Sequence, residues 1–73
     1  MTEKLGGVMM VTINGVATDA AGKTVAEYIA SSNYDPQVIA VELNEDIVSK
    51  KDYDTTVLKD GDTLEVVSFV GGG

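Results

Sequence analysis

No cysteine and no histidine occur among the 73 residues. The chain therefore has no thiolate nucleophile, no disulfide framework, no imidazole general base and no thiolate or imidazole metal ligand. Basic side chains are scarce too: Lys4, Lys23, Lys50, Lys51 and Lys59 stand against 12 acidic residues, a net charge of -7. A surface of that sign repels a phosphate backbone, so the expected macromolecular partner is a protein and not a nucleic acid. No apolar run approaches the ~20 residues that span a bilayer, and Glu3 and Lys4 lead into no apolar signal region. The expectation is a cytoplasmic protein without membrane association, monomeric when free. A chain of this length forms one domain that buries only about 60% of its unfolded surface, which leaves a small core and no room for a large active site.

What is present reads as alternating strands with one helix. Residues 8–14 are rich in β-branched and apolar side chains, with Met9, Val11 and Ile13 on one face. Asn14-Gly15 supplies the two left-handed positions of a tight hairpin, sending 16–20 back as a second strand. Thr24 and Glu27 have capping-box spacing, and Val25, Tyr28 and Ile29 form an apolar stripe, so a short helix starts here. Ser31, Ser32 and Asn33 stop it ahead of Pro36. Alternation resumes over 38–43, with Ile39, Val41 and Leu43 inward and Glu42 outward; a polar break at Asn44-Glu45-Asp46 precedes a brief fourth strand at Ile47-Val48. A charged, irregular crossover follows over 50–56, and Asp60-Gly61 turns the chain into a last strand over 63–70. There Leu64 and Val66 point one way while Val67 and Phe69 point the other. One helix and a mixed sheet of four to five strands pack as an α+β β-grasp, the helix across one face and the last strand beside the first.

Candidate chemistry is sparse. Asp52 and Asp54 resemble the opening of a calcium loop, but Val57 occupies the turn-glycine position and no bidentate Glu follows, so no metal site is expected. Gly6-Gly7 and Gly71-Gly72-Gly73 do not lie between a strand and a helix, and no Gly-Lys-Ser or Gly-Lys-Thr occurs; the chain binds no nucleotide or other cofactor itself. The informative feature is Gly71, Gly72 and Gly73 directly after an apolar strand. Three residues without Cβ extend by about 10 Å and thread a narrow channel, delivering the carboxylate of Gly73 to another protein's active site. Val67, Phe69 and Val70, joined by Val8 and Met10 from the neighbouring first strand, form the expected outward apolar patch for that partner. A bulge that returned Phe69 to the core would remove it from the patch. The division expected is a flexible extension at 1–7, a domain at 8–70 and a flexible tail at 71–73.

The runs VELNEDIV (41–48) and TVLKDGDTLEVV (56–67), the ending FVGGG (69–73), Ile13-Asn14-Gly15 and Gly22-Lys23-Thr24-Val25 closely resemble the thiamine-pathway sulfur carrier family, ThiS, over residues 8–73. Glu45 stands where this family commonly has Gly, Ser49 where Pro is usual and Tyr53 where Trp is frequent. The resemblance implies a ubiquitin-like β-grasp that is a cycling co-substrate and not an enzyme. It implies that a sulfur carrier adenylyltransferase activates Gly73 with ATP and that a persulfide sulfur, derived from a cysteine desulfurase, converts it to a thiocarboxylate. Thiazole synthase then receives the sulfur. The small subunit of molybdopterin synthase is a relative with the same fold and a Gly-Gly end, but its sequences place Pro near the tail and here the only Pro is Pro36. A ubiquitin-like protein modifier is the other alternative.

Overall fold

The computed structural model describes residues 9–69. The expectations for 1–7, for Val8 and for 70–73 lie outside the described residues. Five strands, β1 (Val11–Ile13), β2 (Val16–Thr18), β3 (Ile39–Leu43), β4 (Asp46–Val48) and β5 (Thr63–Ser68), form one mixed sheet in the order β2-β1-β5-β3-β4. A single α-helix, α1 (Val25–Ala30), and short 3-10 turns at Pro36–Val38 and Lys50–Asp52 occupy the connections. This is the expected β-grasp, with β5 central: it runs parallel to β1 through Thr12↔Thr63 and Ile13↔Leu64, and antiparallel to β3 over five consecutive pairs.

Asn14 and Gly15 adopt φ values of 50° and 84°, both left-handed, and fold β2 back onto β1. Val11 and Ile13 are buried with Thr12 exposed between them. Met9 departs from the expected alternation and is 58% exposed. The strand begins later because the peptide groups of Met10 are taken by the turn before β5: its N–H donates to Asp60 Oδ1 at 2.9 Å and its C=O accepts from the Gly61 N–H at 2.9 Å.

Helix α1 has only six residues, too short to persist on its own propensity. Both halves of its capping box form: the Glu27 N–H donates to Thr24 Oγ1 at 3.1 Å and the Thr24 N–H to Glu27 Oε1 at 2.9 Å. Its buried residues, Val25 and Ile29, pack in one cluster with Val11, Ile13, Ile39, Val41, Leu64 and Val66 from the sheet. The hydroxyls of Ser31 and Ser32 donate to the carbonyls of Tyr28 and Ile29, which ends the helix where the polar residues predict. Tyr53 and Leu58, from the aperiodic stretch after β4, complete the core. The Ala26 N–H donates to the Tyr53 C=O at 2.9 Å, tying that stretch to the helix.

Burial pushes the Tyr53 phenol above its ordinary value of 10.0, and burial with the neighbouring Tyr34 pushes Tyr28 up likewise. For both groups the unfolded chain ionises first as pH rises. The stability they hold is thus complete below about pH 10 and is lost as pH climbs through the raised folded values. Thermal melts should keep a constant midpoint between neutral pH and about pH 9 as far as tyrosine is concerned, then fall in step with phenolate absorbance; Tyr53→Phe should blunt that fall.

The β3–β4 hairpin turns through Asn44 at φ 52° and Glu45 at φ 75°. Asn tolerates this region, whereas Glu pays a steric cost there. Glu45→Gly should stabilise the protein by about 0.5–1 kcal/mol, read as a higher denaturant midpoint with an unchanged slope.

Candidate functional site: the open sheet face and the end of β5

Because α1 covers one side of the sheet, the alternation of each strand leaves the other side bare. Leu64 and Val66 of β5 enter the core, so Thr63, Glu65 and Val67 face outward. The register of β3 against β5 sets Ala40 opposite Val67 and Glu42 opposite Glu65, while Ile47 of β4 lies opposite Glu42. Val67 is 56% exposed and Phe69 66%. The β3–β5 ladder is regular from Leu43↔Leu64 to Ile39↔Ser68, so no bulge turns Phe69 inward. Its N–H donates to the Val38 C=O at 2.6 Å, extending the pairing one residue past the strand.

Two of the expected patch residues, Val67 and Phe69, are thus brought together on one exposed surface at the end of β5. Met10 is not with them. The parallel pairing of β1 with β5 sets Met10 beside Asp60 and Gly61, where β5 begins, and Phe69 lies beyond the other end of that strand. A strand adjacent to β5 supplies a patch near the tail only at matching register, and two parallel strands both starting at this end cannot do so with their first residues. Val70, Gly71, Gly72 and Gly73 lie outside the described residues.

Electrostatically the bare face has one sign. Glu42 and Glu65 oppose each other across β3 and β5, and none of the five strands carries a lysine. The described lysines lie elsewhere: Lys23 ahead of α1, Lys50 and Lys51 in the second 3-10 turn and Lys59 before β5. Like charges directly opposite in a sheet are mildly destabilising, so the pair is a cost that burial does not offset in this chain alone. Among the described residues no group of acidic side chains is arranged to hold a metal ion. None of the helices there is long and apolar enough to cross a membrane.

The fixing of β5 involves two side chains that periodicity does not reveal. Asn44 Oδ1 accepts from the Thr63 N–H at 2.9 Å while its amide donates to Asp62 Oδ1 at 3.0 Å, holding the strand's start. Asn14 Oδ1 accepts from the Val66 N–H at 2.9 Å, holding its end. Both belong to turns, the one property of Asn that the sequence displays.

The ThiS family model matches residues 10–73, nearly the whole chain. The chain belongs to the ThiS family. Among similar proteins, the sulfur carrier protein ThiS of Thermus thermophilus is 34% identical over 64 residues, covering 88% of this chain and 100% of that one. The sulfur carrier protein ThiS of Bacillus subtilis is 38% identical over 50 residues, 68% of this chain and 76% of that one. A thiazole synthase of Paramagnetospirillum magneticum is 39% identical over 66 residues, 89% of this chain but 20% of that protein. The chain therefore spans about one fifth of the length of that relative. The crystal structure of the thiamine biosynthesis protein ThiS from Geobacter metallireducens superposes with a TM-score of 0.74 at 32% identity, covering 89% of this chain and 100% of that one. ThiS membership thus accounts for the β-grasp, for the bare sheet face and for the family's glycine ending being matched through Gly73.

Proposed function

We propose that this chain is a sulfur carrier of thiamine biosynthesis whose reacting group is the Gly73 carboxylate. The observation that carries the reading is the match of the ThiS family through Gly73 in a chain whose own side chains include no Cys or His to do the chemistry. A C-terminal carboxylate is ionised at neutral pH, with an ordinary pKa of about 3.3–3.7. Its oxygen attacks the α-phosphorus of ATP on an adenylating enzyme, pyrophosphate leaves, and an acyl-adenylate forms. The terminal sulfur of a persulfide then attacks the acyl carbon and AMP leaves. A thiol acting as two-electron reductant cleaves the resulting acyl disulfide, releasing the thiocarboxylate. The chain contributes the acyl group and the shape that delivers it; nucleotide and sulfur come from partners.

The docking surface in this reading is the bare sheet face at the end of β5, with Val67 and Phe69 as apolar anchors and Glu42 and Glu65 facing a basic rim on the partner. The acceptor is thiazole synthase. Support for that choice comes from the name of the relatives in which a segment similar to this whole chain makes up 20% of the protein. The site of action is the cytoplasm. Expression in a bacterial strain deleted for its own thiazole-pathway sulfur carrier should restore growth without added thiazole. Restoration of molybdenum-cofactor synthesis instead, with no effect on thiazole, would overturn the assignment.

A further inference from the structure

Beyond Ile13 the backbone of β1 swings into the Asn14-Gly15 turn, yet β5 continues for several residues. A parallel ladder at that point requires a donor and an acceptor beside Val66, and the Asn14 side chain supplies both. Its Oδ1 accepts from the Val66 N–H at 2.9 Å and its Nδ2 donates to the Val66 C=O at 3.3 Å. The carboxamide thus stands in for a missing peptide group. The same Nδ2 donates to Tyr34 Oη at 2.9 Å. Tyr34 is itself anchored, since its N–H donates to Ser32 Oγ, and that hydroxyl donates to the Ile29 carbonyl at the end of α1. The β1–β2 turn, the connection after α1 and β5 therefore meet at one point, two residues before Ser68. On the opposite flank β5 stays paired with β3 as far as Phe69.

Resting on the functional reading above, we infer that Asn14 and Tyr34 are positioning residues of the carrier reaction: their hydrogen bonds fix the direction in which β5 leaves the sheet and so where the Gly73 carboxylate arrives in the adenylating enzyme. Docking through Val67 and Phe69 locates the body of the domain. The four residues 70–73 then span about 13 Å when extended, so a small angular error at Val66 grows along them. A misplacement of about 1 Å in a reacting group costs up to about 100-fold in rate.

The test is ATP–pyrophosphate exchange by the adenylating enzyme with the carrier as varied substrate, using Tyr34→Phe and Asn14→Gly. Tyr34→Phe removes one hydroxyl and keeps the ring; Asn14→Gly keeps the left-handed turn and removes the carboxamide. Both are assayed at a temperature where circular dichroism shows them folded, and Tyr34→Phe carries the test if Asn14→Gly does not fold. The expected result is a kcat lowered about tenfold with KM within about twofold of wild type. A merely structural role has the opposite signature: partial unfolding dilutes the active carrier, which raises the apparent KM and leaves kcat at saturation unchanged. That result, or no change in either constant, would overturn the inference while leaving the functional reading intact. A wild-type chain that supports no exchange overturns the functional reading, and this inference with it.

Discussion

Deleting Gly72 and Gly73 abolishes sulfur loading and leaves the melting temperature within about a degree of the full chain. The loss is complete and not graded, because the reacting carboxylate is then carried two residues short, on Gly71, and an extended residue contributes about 3.3–3.6 Å of reach. A reacting pair held ~7 Å apart is outside near-attack distance. Stability is expected to survive because the core is built between Val11 and Val66 and glycine has no side chain to bury; changes remote from packing stay within about 0.5 kcal/mol. Scanning calorimetry on the shortened chain, with the loading assay beside it, checks both halves. Residual loading would move the chemical site away from Gly73, and a large drop in melting temperature would show that the last glycines are part of the packing.

The second large effect separates the two faces of β5. Leu64 is fully buried between α1 and the sheet, so Leu64→Ala should cost about 3 kcal/mol. That is a large share of the roughly 4–11 kcal/mol available to a domain of 73 residues. Phe69, two-thirds exposed, should behave in the reverse sense. Phe69→Ala is expected to leave the melt nearly unchanged and to weaken association with the adenylating enzyme by about 1–2 kcal/mol, five- to thirtyfold in Kd. Titration calorimetry and thermal melts on the two variants decide between the faces. A Phe69→Ala protein that melts far below wild type, with binding of the folded fraction intact, would place Phe69 in the core and require a different docking surface.

Local chemistry explains why much of this molecule is legible in its sequence. Asn14-Gly15 can hardly be anything but a tight hairpin, and both residues are left-handed in the structure. The Thr24 and Glu27 pair forms its two hydrogen bonds as spaced, and the alternation of 63–69 correctly divides Leu64 and Val66 from Val67 and Phe69. The failures are all of long range. Met10 shares the outward parity of a patch residue but not its place, because parity says nothing about which end of β5 it meets. Tyr53 and Leu58 are buried from a stretch with no period to display it, held by backbone bonds from Ala26 to Tyr53 and between Leu58 and the residues before α1. Asn14 and Asn44 are recognisable as turn residues, yet their contacts with Val66 and Thr63 span 52 and 19 positions and depend on β5 lying in the centre of the sheet.

The most direct measurement is the intact mass of this chain after incubation with its adenylating enzyme, ATP and a persulfide donor, followed by fragmentation. The account predicts that one oxygen is replaced by one sulfur, that the change requires ATP, and that it resides in the fragment containing Gly73. Sulfur found on a fragment lacking Gly73, or a wild-type mass unchanged under conditions in which the enzyme loads another ThiS protein, would contradict it.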